Sequence, residues 1–399
     1  MYQFFAKSKK QPGIIWRYYL FSFLASISFY TAVLVPFYTD WGGISLAQVQ
    51  FLQAWMMFWA VLLEVPTGII ADRFGRKYSA ALGCLFAFLS CVLYGTIPSF
   101  GSFLVAEFLT ALAIALISGA GEALLFDSLK EEKKEESFKT IAARSASIGS
   151  AAALLSAPLG GVLAAYYGLN APMLINSIPM LLAAFLLLSA KEPVSAFHNT
   201  TDRHYLKIGI SGLAYLFKHP YLKRITLNAM LVYLPAYFLV WLYQPLLQQL
   251  LFPIIYFGIV RAVFSLSSLM STWNLTYTEK LFGSTNRFLF ISGILSIIPI
   301  FLLALFPSVP MIFVAIILVS AFSVARFSRL NAINHHYIPS DRRATILSGI
   351  SMLQRILFVV LNPVVGFMAD ISISLSLLFI GLIALLGLII LKLPHDLEG

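Results

Sequence analysis

The sequence predicts an all-α membrane protein of twelve transmembrane helices in two pseudo-symmetric six-helix halves. Composition is the first of three observations behind this: of 399 residues, 60% are hydrophobic and only 11% charged, against about a quarter charged in a soluble chain. The second is the apolar runs, since a helix needs roughly 20 apolar residues to cross a bilayer and this chain holds a dozen such runs with short connections. The runs are apolar throughout and do not alternate, which excludes a transmembrane β-barrel. The third is a repeat: Pro158-Leu-Gly-Gly161 and Pro363-Val-Val-Gly366 stand near the same end of the fifth and eleventh runs.

In order, the spans run from Ile14 to Tyr38, Leu46 to Ile70, Tyr78 to Thr96, Ser102 to Phe126, Thr140 to Tyr166 and Ala171 to Ala190 in the first half. The second half has Ile225 to Gln248, Pro253 to Tyr277, Phe288 to Phe306, Met311 to His335, Thr345 to Ala369 and Ile371 to Leu391. The longest polar stretch, 191–224, separates half 1–190 from half 225–399. Within it, Tyr205 to Lys218 is expected to form an amphipathic helix on the cytoplasmic surface. The first run is too long for the apolar core of a cleavable signal peptide, and no A-x-A-like site follows it.

Lys and Arg outside the spans fall at the amino terminus (Lys7, Lys9, Lys10) and in every second loop. Those loops carry Arg73, Arg76 and Lys77, then Lys130 to Lys139, Lys191 to Arg224, Lys280 with Arg287, and Arg342 with Arg343. The loops between, such as Asp40 to Ser45 and Ile97 to Gly101, carry none. This asymmetry places both termini and the basic loops in the cytoplasm, with the chain a multi-pass protein of the cell (inner) membrane. The net charge of +10, from 27 Lys plus Arg against 17 Asp plus Glu, forms no patch that follows a phosphate backbone, so no nucleic-acid partner is expected. The Asn199-Thr200-Thr201 sequon, on the cytoplasmic side, is not an expected glycosylation site. Cys84 and Cys91 lie about two turns apart on one helix, too far for a bridge.

Between the second and third spans stands Gly68-Ile-Ile-Ala-Asp72-Arg73-Phe-Gly75-Arg76-Lys77. It resembles the signature loop of the major facilitator superfamily (MFS), G-x-x-x-D-R-x-G-R-[KR], at every defining position. Glu279-Lys280-Leu-Phe-Gly283 is similar to a degraded second copy. The residue types suit a gate: Gly68 and Gly75 permit close contact and a tight turn, Asp72 can cap a helix amino terminus, and Arg73 and Arg76 can hold neighbouring helices. The resemblance covers essentially the whole chain. It implies secondary active transport by alternating access to a midplane site, with spans 1, 2, 4, 5, 7, 8, 10 and 11 around the cavity. Glu64-Val-Pro-Thr-Gly68 and the stretch from Ser118 to Leu129 are similar to a broad group of bacterial members. Where the drug-exporter branch has R-x-x-Q-G in the fourth helix, this chain has Glu107-Phe-Leu-Thr110-Ala111. Its fifth span matches the antiporter pattern G-P-x-x-G-G only in part, so drug antiport is not carried over.

An ionisable group within a span is costly and faces a cavity or a partner. At about 1.5 Å per residue, Arg261 and Arg355 fall near midspan, Glu107 in the outer half of span 4, and Glu64, Glu122 and Arg144 toward the cytoplasm. Glu64, Glu122, Asp127 and Arg144 are expected in a gate network with Arg73 and Arg76; substrate or proton contact is the competing role. Arg261 and Arg355 are expected to bind substrate, the alternative being an ion pair to Glu107 or across the halves. Arg326 is a third candidate. Tyr233, Tyr237, Trp241 and Gln244 share one face of span 7, where they either line a substrate path or pack.

Three arginines against one deep carboxylate make the expected cavity electropositive, and the expected cargo is a small anionic or zwitterionic organic solute. Glu107 is the expected proton carrier, with Glu122 and Glu64 behind it. The alternatives are a proton-driven exporter of amphipathic drugs or metabolites and a non-transporting membrane receptor or scaffold. No P-loop is present, and His335 and His336 lack a carboxylate at metal-ligand spacing. Hence neither an enzyme nor a cofactor nor a metal is expected. The expected partners are the solute, protons and the bilayer, with the chain a monomer.

Overall fold

A computed structural model of the chain describes residues 13–193, 205–273, 275–339 and 342–393. The Lys7 to Lys10 cluster and the Asn199 sequon lie outside these residues. Among the described residues the chain is helical, with no strand, as hydrocarbon demands of a segment that must satisfy its own backbone groups. Among the described residues eleven helices are long and apolar enough to cross a membrane, and a bent pair, taken as one span, makes the twelfth.

That pair is α1 (Gly13–Ser26) and α2 (Leu34–Pro36), joined by a 3₁₀ turn at Phe29–Ala32 and continued by a π turn at Phe37–Trp41. Spans 2 to 6 are α3 (Leu46–Phe74), α4 (Arg76–Thr96), α5 (Phe100–Glu131), α6 (Phe138–Tyr167) and α7 (Ala171–Leu188). The central helix is α8 (Tyr205–Lys218), where the sequence places it. Spans 7 and 8 are α9 (Pro220–Gln249) and α10 (Phe257–Trp273), with a short α11 (Leu275–Leu281) after the latter. Spans 9 to 12 are α12 (Thr285–Leu305), α13 (Val309–Tyr337), α14 (Arg343–Ile371) and α15 (Ile373–Ile390). Ser45, Ser99 and Ser308 start α3, α5 and α13 by accepting a hydrogen bond from the backbone N–H three residues on, each cap contributing about 1 kcal/mol.

The halves repeat one packing scheme. In the first, α4 packs on α5 and α7, and α3 on α5; in the second, α12 packs on α13 and α15, and α10 on α13. Twelve alternating spans bring both ends of the described chain to one end of the bundle, called inner below. The halves meet chiefly through α3 with α14 and α6 with α10. The repeated P-x-x-G marks both crossings. A Cβ on Gly161 would stand 2.7 Å from the Ile255 carbonyl oxygen, and one on Gly366 would stand 2.7 Å from Gln50 Cβ. Facing Gly161, Gly258 leaves room for the Ala157 carbonyl. Small residues thus let the backbones approach, the usual basis of helix contact where apolar surface alone gives no drive.

At the inner end, α8 does not lie free on a surface. Gly212 crosses α14 against Thr345 and Gly349, and Leu216 is buried with Leu222, Ile338 and Ile346. Part of its apolar surface is thus packed within the protein, while Ile210 and Phe217 are exposed.

Candidate substrate cavity and gate

Span 1, which the sequence reads as continuous, is broken: its two segments are bent by 69°. Pro36 has no N–H to give and its ring crowds the carbonyl four residues back. Other backbone groups around the break are met by side chains of three other helices. Ser28 N–H donates to Ser156 Oγ (3.0 Å), Phe29 N–H to Asn176 Oδ1 (3.1 Å) and Val35 N–H to Gln244 Oε1 (2.8 Å), while Gln244 Nε2 donates to the Thr31 carbonyl (3.0 Å). Gly160 leaves space for the Phe29 carbonyl. Gln244 belongs to the second half, so the break is held from both sides.

Beside the break lies a cavity of about 370 Å³, lined by Tyr30, Tyr38, Gln53, Tyr94, Glu107, Thr110 and Asn176 of the first half and by Trp241, Gln244 and Arg261 of the second. Glu107 is 4% exposed. Its Oε1 accepts from Tyr38 Oη at 3.0 Å and Gln53 Nε2 at 3.2 Å, and the Tyr38 and Tyr94 hydroxyls are 3.2 Å apart. All these partners are neutral, and none is an arginine. Arg261 stands 5.2 Å from the Phe264 ring. Among the described residues no carboxylate lies within 4.0 Å of it.

The other expected substrate residues divide. Trp241 and Gln244 line the cavity. Tyr237 stacks on Phe358 at 3.8 Å and accepts a hydrogen bond from Asn362 at 3.1 Å, and Tyr233 packs on Phe327 at 4.8 Å. Arg355 pairs with Glu64 across the halves at 2.8 Å, both side chains partly open to solvent. The gate network expected of Glu64 with Arg73 and Arg76 is therefore corrected: its partner is Arg355, because α3 and α14 run side by side at that depth. Arg326 is displaced from the cavity altogether. It points into the second bundle, toward Asn228 and the Leu289 carbonyl.

At the inner end, the turn from α3 to α4 passes through Gly75, whose φ of +103° suits glycine alone. The start of α4 is capped by Glu192, which follows span 6: its carboxylate accepts from Arg76 N–H (2.6 Å) and Lys77 N–H (3.0 Å). Sequence reading assigns such a cap to Asp72, whose side chain lies outside what is described. Arg76 pairs with Asp127 at 2.6 Å. Arg73 is exposed over Phe74, and Gly68 lies in the inner part of α3. Glu122 and Arg144 are exposed and join no ion pair among the described residues. In the second half Gly283 has φ +80° and Glu279 pairs with Arg329 at 3.1 Å, so each half ties its second-to-third loop to its fourth helix. Glu192→Ala should lower the melting temperature by a few degrees and Glu192→Gln by less, because the amide keeps an acceptor oxygen. Equal melting temperatures in wild type and both variants would remove Glu192 from this role.

Several cavity residues escape sequence reading. Tyr30, Tyr38 and Tyr94 are ordinary aromatics in apolar runs. Asn176 carried a signal, as a lone amide in a span, since buried amides demand partners.

Two six-helix bundles around a cavity lined by one carboxylate and one guanidinium have the architecture of a membrane transporter. Residues 18–286, more than half of the chain, match the family model of the Major Facilitator Superfamily, and the chain belongs to that superfamily. Similar solved structures include the nucleoside transporter NupG, 12% identical over 95% of this chain and 98% of that one with a TM-score of 0.78. A bacterial homolog of the human lysosomal transporter Spinster is 18% identical over 90% and 81%, with a TM-score of 0.72. A D-xylose–proton symporter is 15% identical over 96% and 98%, with a TM-score of 0.71. At these identities the likeness is one of fold. No curated protein sequence matches the chain.

Proposed function

We propose that the protein carries a small zwitterionic or anionic organic solute across the cytoplasmic membrane by alternating access, with Glu107 as the proton carrier. One observation carries this reading: Glu107 and Arg261, from opposite halves, line one cavity, and each lacks an ion-pair partner among the described residues. With Arg355 tied to Glu64 and Arg326 elsewhere, one arginine rather than three faces the solute. That favours a bipolar cargo over a merely negative one, its anionic group on Arg261 and its cationic or donor group near Glu107. Halves 1–190 and 225–399 are the moving bodies. The small-residue crossings at Gly161 with Gly258 and at Gly366 close the outer end, and the Glu64–Arg355 pair ties the halves again nearer the inner end, so opening to the cytoplasm requires that this pair part.

The test is binding of matched zwitterionic, anionic and cationic ligands to purified wild type, Arg261→Lys and Arg261→Ala. Lysine loses the planar fork and should weaken ligands bearing an anionic group; alanine should weaken them more, by about tenfold or beyond. Undiminished affinity for those ligands in Arg261→Ala would overturn the assignment. Tighter binding of hydrophobic cations in that variant would point instead to a drug exporter.

A further inference from the structure

Away from the central cavity, at the inner end of the second half, α9, α12, α13 and α15 enclose a crevice of about 400 Å³. Arg326 forms its floor and is 1% exposed. Its Nε donates to the Leu289 carbonyl at 2.9 Å and its Nη2 to Asn228 Oδ1. Both acceptors are neutral. No carboxylate among the described residues lies within 4.0 Å, and a buried guanidinium without a counter-charge is strongly unfavourable. Lys392, just past the end of α15, brings a second cation to the rim.

Beside the polar Asn286, the rest of the rim is apolar and open. Phe290 and Ile389 line the crevice and are 56% and 53% exposed, on helices that span the bilayer. Leu289 lies in the second turn of α12, so the guanidinium it bonds sits near the level where lipid headgroups meet acyl chains. Two cations below an apolar mouth at that level match an anion that carries hydrocarbon. We propose that this crevice binds the headgroup phosphate of an anionic phospholipid, with Arg326 and Lys392 on the phosphate and the acyl chains along Phe290 and Ile389. Asn228 also donates to the Gly387 and Leu391 carbonyls at 3.2 and 2.9 Å. The lipid thereby fastens four helices of one half at a single point.

Native mass spectrometry of the full chain in detergent, exchanged against phosphatidylglycerol, phosphatidylcholine or inorganic phosphate, tests this. Wild type should retain phosphatidylglycerol in preference to phosphatidylcholine, and millimolar inorganic phosphate should not displace it. Lys392→Gln should reduce the preference about fivefold, and Arg326→Gln should abolish it. Since Arg326→Gln also disturbs a buried node, Lys392→Gln at the rim is the deciding variant. An unchanged preference in Lys392→Gln overturns the proposal, and so does full displacement by inorganic phosphate, which would assign the site to a free anion. Binding absent from wild type that arises only in a D396N/E398Q variant would make the chain's own carboxy-terminal tail the counter-charge, and overturns it equally.

Discussion

Glu107→Gln is expected to abolish solute accumulation driven by a pH gradient while leaving solute exchange across the membrane near the wild-type rate. The glutamine is isosteric, and its oxygen can accept from Tyr38 and Gln53 as Glu107 Oε1 does, so the fold and the cavity should persist. What is lost is the one carboxylate among the described residues of the cavity wall. Net accumulation needs a protonation cycle, whereas exchange needs only the movement of a loaded carrier. Uptake into proteoliposomes with and without an imposed pH gradient, beside counterflow of preloaded solute, separates the two. Full gradient-driven accumulation in the variant would reassign coupling to Glu64 or Glu122, or away from protons.

A second large effect is expected at the crossing of α6 and α10. A side chain at Gly258 must enter the space of the Ala157 carbonyl, a backbone atom that cannot swing aside. Inserting bulk into a packed contact costs about 1–3 kcal/mol, and here the contact joins the two halves rather than filling either one. Gly258→Val should therefore leave each bundle folded and shift the population away from the state closed at the outer end. A shift of 1.4 kcal/mol is about tenfold in that equilibrium. Spin labels on the outer ends of α6 and α10 would read it as a longer distance, with transport reduced because the carrier stalls. An unchanged distance distribution would mean that the crossing is not part of the moving interface.

Spans, their number and the two halves were legible in the sequence because hydrocarbon imposes a simple rule on length and polarity. The P-x-x-G repeat was legible for a related reason: close crossings admit only small residues, wherever they fall. The break in span 1 was not, because apolar residues continue through it and its polar partners Ser156, Asn176 and Gln244 are distant in sequence. Pairings escaped similarly. Depth along a helix set Arg355 near midspan and Glu64 toward the cytoplasm, whereas the two meet in one pair; depth also carries no rotation, and so missed the turn that brings them together and the one that takes Arg326 away from the cavity. Glu192 escaped because it lies more than a hundred residues from the turn it caps.

The contacts that hold the broken span to the opposite half have a consequence for speed. Phe37 and Tyr38 are embedded in the first half's own core, Ala32 and Val33 are buried in an apolar cluster with second-half residues such as Leu242 and Leu246, and the polar ties across are amides: Gln244 to Val35 and Thr31, and Gln248 to Asp40 at 2.8 Å. An oily seam must be torn open before any water can wet it, whereas an amide clasp can be exchanged one bond at a time for incoming water at little net loss. At the amide clasps the seam can unfasten in steps, whereas the apolar contacts of Ala32 and Val33 must part together, so the clasps ease the parting of the two faces and the apolar contacts resist it.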